Sequence, residues 1–431
     1  MQTIAGADEE RSRARRDVRY VQLELLNSLS TLRRLHGCLN GRASADHGVS
    51  IVRKGPRAHF RNVRTCASVH ACPCCASKIR NGRAGEIEQA VTAHLAAGGG
   101  VLFATFTLPH DVGDRLAALL RAVTTAYTAM VSGAAASAER TLYGVEGSIR
   151  ALEVNHGPNG WHPHHHVLFL TARPLRYKAR KAFERSMWLR WRHQIVKAGY
   201  RPPSAQNGCD VRPVWGAAGI ADYTAKVYDE RRVGLELARS DLKSGRFTEH
   251  RSAWAVLGDL AAHGDVEDLA LWWEYERATK GQRAVRWSKG LKARYGVQLV
   301  TDAAHAAEEV GGVVVAVISG ELWPAVCRMR GARLGLLRMA EVDDDPEAVN
   351  EYLARIEVEA FGDSIPPGGP PIDADAQERR ATEMQLAARR LGRSVVVEGL
   401  GAVADGAFGL PLCSSSAQRS PEHLLGDVPI H

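Results

Sequence analysis

The 431-residue chain has no lysine after position 300, no apolar run long enough to cross a bilayer and no G-x-x-x-x-G-K-[ST] phosphate loop. Its longest apolar run, GGVVVAVISG at 311–320, is about half of what a spanning helix needs, which excludes a helical membrane protein. No apolar stretch at the N-terminus resembles a secretion signal, so the expected compartment is the cytoplasm, with no membrane partner. The missing phosphate loop removes the signature of a P-loop ATPase.

The missing lysines mark a division of charge. Residues 1–300 hold 45 Lys+Arg against 27 Asp+Glu, a net +18, whereas residues 301–431 hold 11 against 21, a net −10. The first two thirds therefore carry the electrostatics of a polyanion binder, with solvated surface charge as the plainer alternative. Of the eight cysteines, five lie between Cys38 and Cys75. In a reducing compartment such a cluster points to metal ligands or buried thiols before disulfides.

The periodicities predict an α+β chain. Residues 1–35 read as a charged helical arm, and 36–82 as a cysteine-rich module without a clear period. A mixed domain follows over 84–235: helix in GEIEQAVTAHLAAG, strand in VLFATFTL (101–108) and one long Ala-rich helix over 111–137. Next come two strands, SIRALEVNH and HHHVLFLT, joined by the turn GPNGWHP, then a basic helix (175–199), the strand CDVRPV and a helix over 216–230. The order β-α-β-β-α-β-α matches a ferredoxin-like, split βαβ arrangement around a central antiparallel sheet. Residues 236–300 read as a basic helical extension, 301–362 as an acidic α/β region, and 363–431 as a linker, a helix and a low-order tail.

The stretch GWHPHHHVLFL (160–170) runs four histidines into a buried strand. Residues two apart on a strand face the same side, so His164 and His166 project together, with His162 at the turn and His165 facing the other way beside Val167 and Phe169. A hairpin through GPNGWHP brings Glu153 opposite them, and a carboxylate flanked by apolar residues needs a partner. Two imidazoles and a carboxylate with open positions suit a divalent cation such as Mg2+ or Mn2+ that holds a phosphate. His156 is the alternative third ligand. Further on, GIADYTAKVYDE places Tyr223 and Lys226 three apart on one helical face, a phenol nucleophile beside an ammonium.

FATFTLPH (103–110), WHPHHHVLFL and DYTAKV, in that order, resemble the rolling-circle replication initiators of bacterial plasmids, members of the HUH endonuclease superfamily. RALEVNHGPNGWHPHHHVLFL is similar to the initiators of actinobacterial plasmids in particular. The resemblance covers roughly 36–300. It implies that His164 and His166 bind the catalytic metal, with Glu153 inferred from strand pairing. It also implies that Tyr223 attacks the scissile phosphodiester, leaving a 5′-phosphotyrosine and a free 3′-OH, while Lys226 steadies the phosphate. Thr105 and Thr107 match the first motif, read as mainly structural. Two positions depart from the pattern: the residue between the histidines is usually bulky and apolar but here is His165, and Gly219 stands where some relatives carry a glutamate for termination. Asp222 is adjacent to Tyr223 but faces elsewhere on a helix, and Tyr228, a candidate second nucleophile, is poorly placed beside Tyr223 by its offset of five residues.

CASVHACPCC offers Cys66, Cys72 and Cys75, with Cys38 upstream, and four thiolates suit structural Zn2+. The same initiators carry a similar segment. Cys74 is then surplus, His70 is a substitute ligand, and Cys209, Cys327 and Cys413 are isolated. The basic segments RPLRYKARKAFERSMWLRWRHQIVKAGYR and RAVRWSKGLKARYG nominate Arg173, Arg176, Lys178, Arg180, Lys181, Arg286, Lys289 and Lys292 as a DNA track. Trp188 and Trp191 fit the core better than base stacking, and Trp287 is open to either use. The expected partners are plasmid origin DNA, single-stranded or hairpin with flanking duplex, and a host helicase, single-strand binding protein and polymerase. A transposase with the same chemistry, or a zinc-dependent DNA-binding regulator without catalysis, are the alternatives.

Overall fold

The computed structural model describes residues 4–214, 250–342 and 346–362. The first block forms α1 (Ile4–Leu29), α2 (Arg33–His36), β1 (Val49–Lys54), β2 (Arg57–Arg61), α3 (Pro73–Ala96), β3 (Gly100–Phe106), α4 (Leu116–Met130), α5 (Gly133–Tyr143), β4 (Val145–Gly157), β5 (Gly160–Thr171), α6 (Tyr177–Lys197) and β6 (Cys209–Pro213). The later blocks form β7 (Arg251–Ser252), α7 (Ala253–His263), α8 (Val266–Thr279), β8 (Val285–Trp287), α9 (Leu291–Arg294), α10 (Asp302–Ala307), β9 (Val313–Ile318), α11 (Trp323–Arg328), α12 (Ala332–Val342) and α13 (Pro346–Phe361).

The central sheet is built on the β4–β5 hairpin, whose register sets Glu153 opposite His164 and Ala151 opposite His166. Gly160 closes its turn at φ +83°, and a Cβ there would sit 3.2 Å from the Val112 backbone, so both the left-handed dihedral and the close approach call for glycine. β3 pairs with the other edge of β5, setting Thr105 opposite His166, and β6 pairs with β3. The resulting order is β6-β3-β5-β4, antiparallel throughout, with β7 and β8 both on the outer edge of β4. β3 and β4 thus run parallel with β5 inserted between them, as the predicted order of elements requires.

Alternation along β5 divides the core. Val167 and Phe169 face α4 and α6, where Phe169 meets Phe183 edge-on at 5.4 Å and Phe106 meets Trp191 at the same separation. Leu168 and Leu170 face the other way and pack with Ile149, Val101 and the α3 residues Ile87 and Val91, one helical turn apart. His164 and His166 lie on this second face, beyond the apolar part of the strand.

A second sheet, in the order β2-β1-β9, joins the two ends of the described chain. β9 is the GGVVVAVISG run, and its Ala316 pairs with Ile51. Ile51, Phe60, Trp323, Leu336 and Ile356 share one core, so much of the acidic segment packs on the hairpin near the N-terminus. α1 ties in through Asp17, which accepts hydrogen bonds from Arg338 at 2.8 and 3.0 Å.

Several elements differ from expectation. The long helix expected over 111–137 is two helices, α4 and α5, bent by 67° where Gly133 takes φ +85°. Among the described residues no single helix is long and apolar enough to cross a membrane. The helix expected from about 84 starts at Pro73, because Cys72 caps it and proline suits its first turn. The expected break at 82–84 therefore falls inside α3. Residues 36–80, which show no clear period, contain the short β1–β2 hairpin, and the extension over 236–300 includes the strands β7 and β8. The helix expected over 216–230 and the tail over 363–431 lie outside the described residues.

Candidate active site and cysteine cluster

Glu153, His164 and His166 converge on the α3-side face of the central sheet. The Glu153 Oε2 atom lies 2.6 Å from Nε2 of His166 and 3.1 Å from Nε2 of His164, and the three donor atoms all fall within 4.8 Å of one another. The second carboxylate oxygen accepts a hydrogen bond from Asn155 Nδ2 at 3.0 Å. The far side of each ring is also held: His166 Nδ1 contacts Thr105 Oγ1 at 3.1 Å, and His164 Nδ1 contacts the His162 carbonyl at 3.3 Å. Such outer contacts fix which nitrogen is left for a ligand. Phe103 stacks on the His166 ring at 5.2 Å, closing its apolar side.

Electrostatics follow from burial. Burial by itself would raise the Glu153 carboxyl, but the charge of His164 and hydrogen bonds from both imidazoles hold it well below the usual carboxylate range. Burial would likewise lower His164, yet Glu153 raises it above its ordinary value. A carboxylate kept ionised between two inward-pointing imidazole nitrogens is the donor chemistry of a divalent-cation site, and the residues fit Mg2+ or Mn2+. His156 points to the opposite face of β4 and packs edge-on against Trp161 at 4.9 Å, away from this group. His162 packs between His110 and His164, and burial together with the neighbouring imidazoles holds it down to about 3.

Cys38, Cys66, Cys72 and Cys75 form a second buried cluster. The Sγ atoms of Cys38 and Cys72 are 3.6 Å apart, those of Cys38 and Cys75 3.6 Å, and those of Cys66 and Cys75 3.7 Å. Four sulfurs tetrahedrally bonded to zinc stand ~3.8 Å apart, so the cluster fits Zn2+ without rearrangement. Local sequence explains the aim: Cys72 is the N-cap of α3, Pro73 opens the helix, and the Cys75 amide donates to the Cys72 sulfur at 3.4 Å. Hydrogen bonding from Cys38 and its neighbours favours thiolate at Cys75, the state that ligation requires. Cys74 turns away to the Arg19 carbonyl, and His70 packs against Tyr275 outside the four sulfurs. Cys209 is buried, Cys327 contacts the Asn40 carbonyl, and Cys413 lies outside the described residues.

The remaining sequence-nominated residues divide by their contacts. Tyr223 and Lys226, like Gly219, Asp222 and Tyr228, lie outside the described residues. Arg173, Arg176, Lys178, Arg286 and Lys289 are exposed. Lys181 pairs with Glu184 at 2.8 Å, and Arg180 donates to the Val211 carbonyl and lies over Tyr177. Lys292 is drawn inward: its Nζ lies 2.6 Å from the buried Glu86 carboxylate and over the Trp287 ring. Trp191 is fully buried with its indole N–H on the Thr107 carbonyl, whereas Trp188 is half-buried and donates to Ser204. The first-motif match gives Thr105 only a structural part. Its contact with His166 was signalled by its place in FATFTLPH, but the partner depends on the β3–β5 register.

A family model described as a replication protein, Rep_1, matches residues 57–311. A Streptomyces lividans protein named Protein rep is 32% identical over 362 residues, covering 68% of this chain and 79% of the relative. A Streptomyces cyanogenus protein named neomycin resistance protein is 32% identical over 130 residues, 24% of this chain and 30% of that relative. No solved structure matches the chain. The matched span takes in the cysteine cluster apart from Cys38, and all of the Glu153–His164–His166 group, so the site and the similarity coincide: the chain belongs to the Rep_1 family of replication proteins.

Proposed function

We propose that the chain initiates rolling-circle replication of a plasmid by nicking and rejoining one strand of its origin. The observation that carries this reading is the convergence of Glu153, His164 and His166 on one face of an antiparallel sheet, in a chain of a replication protein family. On this reading residues 84–235 make an HUH endonuclease domain, a zinc module over 36–82 precedes it, and basic and acidic regions follow over 236–300 and 301–362. A divalent cation, when bound, would draw charge from the scissile phosphate. The two imidazoles and the carboxylate hold that position, and Thr105 and the His162 carbonyl keep the rings aimed.

Tyr223 is the nucleophile in this scheme. Its phenol oxygen forms a bond to phosphorus while the bond to the 3′ oxygen breaks, leaving a 5′-phosphotyrosine and a 3′-OH for a host polymerase. Lys226 steadies the phosphate, and a second transfer reseals the displaced strand. The exposed Arg173, Arg176, Lys178, Arg286 and Lys289 supply phosphate contacts along the approaching strand. A host helicase and single-strand binding protein complete the process in the cytoplasm.

The test is incubation of a labelled single-stranded origin oligonucleotide with the full chain and Mn2+. A covalent protein–DNA adduct that maps to Tyr223 and is lost in Tyr223→Phe is the expected result. An oligonucleotide left intact under every divalent cation, yet still bound, would identify a binding regulator instead.

A further inference from the structure

On the opposite face of the same sheet, behind the metal-type triad, lies a group of cations with no acidic neighbour among the described residues. Arg150 projects there from β4, its guanidinium over the Tyr127 ring at 4.5 Å and its Nη1 buried without a hydrogen-bond partner. His165 projects beside it from β5, both ring nitrogens buried and likewise without partners among the described residues. The Ala151 carbonyl lies near that ring but outside hydrogen-bond geometry. These two residues floor a narrow cleft that opens to solvent, and its rim carries Arg283, Arg286 and Gln282. The other lining residues, Thr124 and Leu152, bring no negative charge either.

This arrangement is costly unless something is missing from it. Arg286 stands directly opposite Arg150 in the β8–β4 pairing, and like charges in opposed cross-strand positions repel. A guanidinium taken out of water needs a counter-charge or a full set of acceptors, and among the described residues Arg150 has neither. Burial first, with the charge of Arg286 adding to it, pulls Arg150 below the usual guanidinium range. The His165 nitrogens call for an acceptor at the same place.

We propose that this cleft is an anion site that takes a phosphate group. A tetrahedral oxyanion answers the cationic side of this cleft: it accepts from the Arg150 fork and from one N–H of His165, and it offsets the repulsion between Arg150, Arg283 and Arg286. Free phosphate and the backbone of a single DNA strand both carry this chemistry. The site is separate from the metal-type triad and does not depend on the nicking reading.

The experiment uses the full chain in chelator and follows thermal unfolding with inorganic phosphate, with a short oligothymidylate, or with sodium chloride at matched ionic strength. Phosphate is expected to raise the Tm by about 3 °C over chloride. Arg150→Met is expected to lose that rise, yet to melt no lower than the native chain in phosphate-free buffer, since it removes an uncompensated charge. Arg283→Gln and Arg286→Gln, on the exposed rim, are expected to weaken phosphate about tenfold each, and they carry the test if Arg150→Met does not fold. An oligonucleotide effect that needs Arg150 or the rim arginines, with free phosphate inert, assigns the site to a DNA strand. No shift with either ligand, or a shift unchanged in all the variants, would overturn the proposal.

Discussion

The Thr105 hydroxyl lies 3.1 Å from Nδ1 of His166, on the opposite side of the ring from the Glu153 carboxylate at Nε2. The threonine thereby fixes ring orientation without touching the position a cation would occupy. Thr105→Val keeps the strand-forming shape and removes the oxygen, and should weaken Mn2+ binding roughly tenfold or more, as losses of such supporting contacts do. Thr105→Ser should restore most of it. Calorimetric Mn2+ titration of both variants checks this, and equal affinities would show that the ring is held by Phe103 stacking alone.

The Glu153–His164 contact sets a pH signature in chelated protein. Glu153 is held well below its ordinary value of 4.5, so its contribution to stability is present above that value and lost as pH falls through the folded one. His164 is raised above 6.5, so its contribution is full below that value and lost as pH climbs through the folded one. The pair therefore stabilises most between these limits, and the Tm in chelator should decline as pH rises above 6.5 through the raised folded value of His164. Glu153→Gln should flatten that decline. With Mn2+ present the trend reverses, because ligation needs neutral imidazole and binding strengthens as protons leave.

Much of this site was legible in the sequence because strand alternation is a local rule. Once GWHPHHHVLFL is read as a strand, His164 and His166 must share a face, and the GPNGWHP turn sets Glu153 across from them. CPCC announces its own geometry in the same way, since a helix N-cap and a proline aim two sulfurs together. What stayed hidden depends on contacts between distant segments. The pairing of β9 with β1 joins residues more than 250 positions apart, and nothing in either run names its partner. Likewise Lys292 looks like any cation in RAVRWSKGLKARYG until Glu86 is found beneath it. Arg150 looks unremarkable alone, His165 stands out only as a departure from the usual apolar residue, and only the β4–β5 register puts them in one cleft.

The four-sulfur cluster should hold one zinc per chain and support the packing of α1 and α3. Cys72→Ser should release that zinc and lower the Tm markedly, since it removes a ligand while serine still caps α3. Cys74→Ser should keep zinc and stability, because the Cys74 sulfur faces the Arg19 carbonyl. Metal content by mass spectrometry, read beside thermal unfolding, separates the cases. Full stability in a zinc-free Cys72→Ser protein would leave only buried thiols.

The basic residues should sort into two classes by their contacts. Arg176 and Lys178 are exposed at the start of α6, so glutamate at either position should weaken oligonucleotide binding and flatten its salt dependence, with the Tm nearly unchanged. Lys292 should behave in the opposite way. Burial would raise the Glu86 carboxyl, but Lys292 and Arg83 hold it below its ordinary value, which makes the lysine part of a buried ion cluster. Lys292→Met should cost about 2 kcal/mol of stability, softened because Arg83 and His305 still reach Glu86, and should change DNA affinity little. Chemical unfolding and salt-titrated binding on the same preparations decide between them. A Lys292 variant that loses DNA affinity at full stability would return that residue to the phosphate track.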